Sequence, residues 1–128
     1  MDPIADLLTC IRNANAVGNP VAVIPFSKLS FAIAEVLAHK KWIDGVTKPG
    51  KKAKKTLEIA LKYSGKTPAI TGVRRISKLG KRVYKGWKTL RPVRQGYGMA
   101  LISTPQGLLT DTEARKLKVG GEVLLEIW

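Results

Sequence analysis

Apolar residues recur along this chain with two different periods. Ile4, Leu7, Leu8 and Ile11 stand at i, i+3, i+4 and i+7, the spacing of one helix face. Asp2-Pro3 ahead of them offers a capping carboxylate and a residue suited to the first helical position, so a helix is expected from there to about Asn13 or Asn15. Gly18-Asn19-Pro20 breaks the pattern, Val21 and Val23 open a short strand, and Pro25 ends it. Ser27 then caps a second helix with Leu29, Ala32, Ile33, Val36 and Leu37 on one face, and Lys40 and Lys41 favourable at its negative end. Residues 42–46 read as a strand and Lys48-Pro49-Gly50 as a turn. Residues 56–63 alternate cleanly, with Leu57, Ile59, Leu61 and Tyr63 inward and Thr56, Glu58 and Lys62 outward. The first half is thus α-β-α-β-β.

Ser64-Gly65-Lys66-Thr67-Pro68 reads as a linker, which divides the chain into residues 1–64 and 65–128. Beyond it the period of two dominates. Strands are expected over 70–77 and 82–85 around a Leu79-Gly80 turn, with a helical turn over 90–95. Residues 99–103 have the continuous apolar character of a fully buried strand. Thr110-Asp111-Thr112-Glu113 is a capping box opening a short helix to about Leu117, and Gly120-Gly121 turns the chain into a last strand over 122–128. The fold class is α+β, with two small packed domains: an α/β first part and a strand-rich second part carrying one short helix.

Charge changes the picture. The 128 residues hold 23 Lys+Arg against 9 Asp+Glu, a net charge of +14, while 45% apolar residues suffice for a core. Residues 48–94 carry 16 basic side chains and Glu58 as their one acid; the rest carries 7 bases and 8 acids. A block of one sign attracts phosphate polymers and speeds their capture. The block has no long amphipathic helix and the chain no apolar run of about 18 residues, so no membrane partner is expected. Met1-Asp2-Pro3 does not begin a secretory signal, and a single Cys10 allows no internal disulfide, which together suit the cytoplasm. Cys10 and His39 cannot make a four-ligand zinc site, so no metal and no cofactor are expected.

The catalytic motifs fail on spacing. Gly65-Lys66-Thr67 matches the end of a phosphate-binding loop, but the glycine needed five residues earlier is Ala60 and Pro68 follows at once. Gly96-Tyr97-Gly98 lacks the third glycine and the helix of a dinucleotide fingerprint. Ser103 and Thr104 have no local base, His39 being in the last turn of the second helix. Asp111, Glu113, Glu122 and Glu126 read as helix-start and strand-surface acids, and Cys10 as a small packed hydrophobe. The chain is therefore expected not to be an enzyme. Two binding elements remain. In the run from Arg82 to Lys88, Tyr84 and Trp87 interleave with cations, as on surfaces that stack bases and hold phosphates, although either ring could be core. Ser103-Thr104-Pro105-Gln106-Gly107 offers hydroxyls and an amide to a 2′-OH, phosphate or base edge, although any polar turn could read so.

The run from Gly98 to Arg115 around Ser103-Thr104-Pro105-Gln106-Gly107-Leu108-Leu109-Thr110 resembles the signature of the bacterial-type small-subunit ribosomal protein eight family. Asp2-Pro3-Ile4-Ala5-Asp6, Ile11-Arg12-Asn13-Ala14, Ser27-Lys28-Leu29, Arg75-Ile76-Ser77, Gly80, Arg82, Tyr84 and Gly120-Gly121-Glu122 fit its other motifs in order, nearly end to end. The resemblance implies a structural constituent of the small ribosomal subunit. Such a protein grips a bulged helix in the central domain of the small-subunit ribosomal RNA and helps its assembly. It touches neighbouring ribosomal proteins and is monomeric outside the ribosome; some relatives also bind their own messenger. Carried over by position, the RNA contacts are Ser103, Thr104, Gln106, Gly107, Gly121 and Glu122, flanked by Tyr84 and Lys85, with Lys28 from the first domain. Lys51, Lys52, Lys54, Lys55, Arg82 and Lys88 are expected to draw in the RNA backbone. Two departures stand out: the family commonly has Ser where Pro105 stands, and Pro where Leu79 stands. The alternative from charge alone is a general nucleic-acid binder of nucleoid or single-strand type.

Overall fold

The computed structural model describes residues 2–47 and 56–128. They fall into two units, Met1–Thr71 and Gly72–Trp128. The first contains α1 (Pro3–Ala16), β1 (Val21–Pro25), α2 (Lys28–His39), β2 (Ile43–Thr47) and β3 (Thr56–Leu61), then a hairpin of β4 (Tyr63–Ser64) and β5 (Thr67–Pro68). The caps act as the sequence predicts. The Asp2 carboxylate accepts from the Ala5 N–H at 3.2 Å, and the Ser27 hydroxyl from the Ser30 N–H at 2.9 Å. Antiparallel strands run in the order β1-β3-β2, and Leu57, Ile59 and Leu61 of the central strand are buried with Ala22 and Ile24 of β1. Tyr63 does not prolong β3. It opens the hairpin, and its hydroxyl donates to the Asn19 carbonyl at 2.7 Å. The stretch read as a linker is thus the hairpin itself: the small and polar residues that mark a linker equally make the Gly65-Lys66 turn.

The second unit contains β6 (Val73–Arg75), β7 (Tyr84–Lys85), 3-10 turns at Trp87–Thr89 and Val93–Gly96, β8 (Met99–Thr104), β9 (Gly107–Thr110), α3 (Asp111–Leu117) and β10 (Gly121–Ile127). Its antiparallel sheet runs β6-β10-β8-β9, and β7 also pairs with β10. The strands expected over 70–77 and 82–85 shrink to three and two residues. Between them side chains supplement the backbone's hydrogen bonds: the Val83 N–H donates to the Ser77 hydroxyl at 3.2 Å and Arg75 Nε to the Ser77 carbonyl at 2.6 Å, while the Ile76 N–H donates to the Leu124 carbonyl at 3.1 Å. The Leu79-Gly80 turn forms as expected, closed by paired bonds between Lys78 and Lys81. The helical turn expected over 90–95 is instead two 3-10 turns. Arg94 and Gln95 are left-handed, as the chain bends back so that the Gly98 N–H donates to the Val93 carbonyl. The core gathers Leu90, Val93, Ala100, Ile102, Ala114 and Val123, with Trp87 and Trp128 packed against it. Both halves of the capping box on α3 are made. Buried Asp111 accepts from the Ala100 N–H at 3.1 Å and from Arg115 Nη1 at 3.0 Å, which ties α3 to β8.

Candidate nucleic-acid interface

The strand register assembles most of the expected contact residues at one end of the second unit's sheet. Lys85 stands opposite Gly121 and Tyr84 opposite Glu122; Glu122 stands opposite Ser103, and Thr104 opposite Gly107. Residues directly opposite share a face. Tyr84, Glu122 and Ser103 therefore make a row across three strands, roughly 10 Å from end to end at the usual strand spacing. Tyr84 is 69% exposed, so its ring is not core. Trp87, the other aromatic in that run, is half-buried against the core, with the Lys88 and Lys118 ammonium groups 5.7 and 5.8 Å from the ring centre.

The loop between β8 and β9 is a short hairpin, which the sequence does not announce as paired strands. Thr104 braces it from within: the buried side chain donates to the Gly107 carbonyl at 2.8 Å and accepts from the Gln106 N–H at 3.0 Å. Gly107 has φ of +104°, a conformation other residues rarely adopt. Ser103, Pro105 and Gln106 are exposed. Outward chemistry thus comes from Ser103 and Gln106, while the Thr104 hydroxyl is engaged in the loop. At Gly121 the strands approach so closely that a β-carbon would fall on the Ser103 carbonyl oxygen.

Glu122 is held by partners that spacing alone does not reveal. Its Oε2 accepts from the hydroxyl of Ser77, itself buried, and from Arg82 Nη1 at 3.1 Å. The Ser77 hydrogen bond first, and then the Arg82 hydrogen bond and the Arg82 and Arg75 charges, hold the carboxyl below its ordinary range against the opposing effect of burial. Glu122 is therefore ionised at neutral pH and only an acceptor, and among the described residues Oε1 has no hydrogen-bond partner. The faint signal for this network is Ser77 itself, a hydroxyl on the same strand phase as buried Val73.

Of the other expected residues, Arg82 joins the row through its bond to Glu122. Lys28 is the exposed first residue of α2, in the first unit. Lys51, Lys52, Lys54 and Lys55 lie outside the described residues, as does the expected turn at Lys48-Pro49-Gly50. Gly65-Lys66 is a hairpin turn with no helix behind it, unlike a phosphate-binding loop. Burial, and then the charge of Asp6, push the Cys10 thiol up, away from the thiolate a nucleophile needs. Among the described residues no group of three metal-ligating side chains converges, and no helix is long and apolar enough to cross a membrane.

A two-unit α+β chain with a basic middle and a braced polar loop at one sheet end can be compared with known proteins on both sequence and motif order. The model of the family "Ribosomal protein S8" matches residues 2–128, and the chain belongs to that family. It is 49% identical over 123 residues to the small ribosomal subunit protein uS8 of Verminephrobacter eiseniae, covering 96% of this chain and 94% of that one. It is also 49% identical over 129 residues to the protein of that name from Gloeothece citriformis, covering 99% and 97%. The counterpart from a Polaromonas species is 48% identical over 123 residues.

Proposed function

We propose that this chain is a structural constituent of the small ribosomal subunit that binds ribosomal RNA without performing chemistry on it. It acts in the cytoplasm among neighbouring ribosomal proteins. The basic residues of 48–94 draw in the backbone, and the sheet end at Tyr84, Lys85, Ser103, Thr104, Gln106, Gly107, Gly121 and Glu122 selects the RNA. Lys28 is a contact from the first unit; as a cation at the positive end of α2 it gains nothing from its own helix. The two domains of this reading divide near residue 64, with most RNA contacts in the second.

The observation that carries the reading is the row of Tyr84, Glu122 and Ser103 beside the braced hairpin. Its chemistry suits an RNA whose bases are splayed out of a regular helix: a ring to stack on, a fixed carboxylate to accept from a base N–H, and a hydroxyl that can meet a 2′-OH. A bulged helix in the central domain of the small-subunit RNA is such a target. The test is binding to that fragment at physiological salt with duplex DNA and random RNA as competitors. Retention of the fragment, with about 1–3 kcal/mol lost on Tyr84→Ala or Glu122→Ala, is expected. Displacement by either competitor would instead mark a general nucleic-acid binder.

A further inference from the structure

Next to the row, a cleft of about 260 Å³ is lined by Arg74, Arg75, Lys78 and Lys81, with Ile76 and Val83. Among the described residues no acid lines it. Glu126 stands opposite Arg74 in the strand register, and Glu122 is engaged by Ser77 and Arg82. Backbone contacts hold the Arg75 guanidinium and the turn that carries Lys78 and Lys81. Arg75 is anchored through Nε on the Ser77 carbonyl at 2.6 Å, and Lys78 and Lys81 face each other across a turn closed by two reciprocal hydrogen bonds of 3.0 Å. Arg74 and Arg75 are partly offset by Glu126 and Glu122, whereas Lys78 and Lys81 bring like charges together on a short, tied turn, and an anion between them removes that repulsion. Guanidinium and ammonium groups in one concavity suit the doubly oxygenated edge of a phosphodiester. Ser77, between the lining residues Ile76 and Lys78, bonds Glu122, so the segment that lines the cleft also holds the row's carboxylate.

From this we infer that the cleft seats a single backbone phosphate of the bound RNA, and so fixes the register in which the row meets the bases. The inference rests on the RNA-binding reading above. It adds a defined phosphate site to what the diffuse charge of 48–94 would do.

The test uses the full chain and the small-subunit RNA fragment. Affinity is measured across a salt series for wild type, Lys78→Gln/Lys81→Gln and Arg74→Gln. Lys62→Gln/Lys66→Gln serves as a pair with the same charge removed from the first unit, and Ser103→Ala as the control for the reading row. Circular dichroism checks that each variant folds, and the single Arg74 variant preserves the test if the turn variant does not. The cleft variants are expected to flatten the salt dependence by about one unit of slope for each phosphate they no longer neutralise, and more than the first-unit pair does. Ethylating the RNA phosphates one at a time should reveal one position that weakens wild type but leaves the cleft variants unaffected. If the cleft variants match the first-unit pair and no such position exists, the phosphate seat is wrong. Should that happen while Ser103→Ala, Tyr84→Ala or Glu122→Ala still weakens binding, the reading row stands; if none of the three has an effect, the row falls with it.

Discussion

The two units differ in what they bury. Among the described residues the first unit buries one polar side chain, Ser30, whereas the second buries Ser77, Thr104, Thr110 and Asp111. A buried hydroxyl or carboxylate costs stability unless it is hydrogen-bonded, and among the described residues each of these is satisfied. Their bonds hold irregular backbone and a candidate contact side chain: Thr104 the hairpin, Ser77 the Glu122 carboxylate, Thr110 and Asp111 the start of α3 and its tie to β8. The first unit instead gains its shape from alternating strands and one-faced helices. On the proposed reading the second unit recognises an RNA shape, which needs side chains fixed before the ligand arrives, and its polar interior would supply that at little cost in packing.

The largest expected effect separates stability from binding. Leu57→Ala, at a fully buried position of the central strand β3, should cost about 2–5 kcal/mol in urea unfolding. The folded fraction should nevertheless bind the RNA fragment as wild type does. A matching fall in the affinity of folded protein would break the division of labour. Gly121→Val should cost about 3 kcal/mol by forcing β10 off the Ser103 carbonyl, and should abolish selective binding as well, read by the same two measurements.

Ser77→Ala comes next, at about 1–3 kcal/mol, because it strips a partner from both Glu122 and the Val83 N–H. It also carries a pH signature. The folded-state pKa of Glu122 is depressed, so its stabilising contribution is fully present above the ordinary carboxylate value of about 4.3 and is lost as pH falls through the lower folded value. Urea midpoints measured from neutral into acid should therefore fall less steeply for Ser77→Ala, and least for Glu122→Gln. An unchanged acid limb in both variants would remove Glu122 from the network.

How much of this was legible in the sequence follows the same division. Helix starts at Asp2-Pro3, Ser27 and Thr110, and the inward set Leu57, Ile59 and Leu61, follow from local capping and period, and all appear in the structure. The short strands β6 and β7 do not, because their length is set by pairing with distant β10; the β8–β9 hairpin and the left-handed pair Arg94-Gln95 are local, but their polar residues read equally as any turn. Motif resemblance picked out the candidate contacts, but the alignment of Tyr84 with Glu122 and Ser103 required the strand register. Ser77 and Arg82 as holders of Glu122 lie 45 and 40 residues away in sequence, beyond the reach of any spacing rule.

The finest distinction is between neighbouring hydroxyls on β8. Thr104 is buried and bonded twice within the hairpin, whereas Ser103 is exposed in the row. Thr104→Val keeps the shape of the side chain and loses both bonds, so it should cost about 1 kcal/mol of stability, with weakened RNA binding following from the loosened loop. Ser103→Ala removes no internal bond of that hairpin and should leave stability within about 0.5 kcal/mol of wild type, yet weaken the cognate RNA by about 1 kcal/mol. A 2′-deoxy substitution in the RNA then tells them apart. At the nucleotide that meets Ser103, it should weaken wild type and Thr104→Val alike and leave Ser103→Ala unmoved. If Ser103→Ala is as sensitive as the others at every nucleotide, the exposed hydroxyl does not meet a 2′-OH, and selection rests on Tyr84 and Glu122.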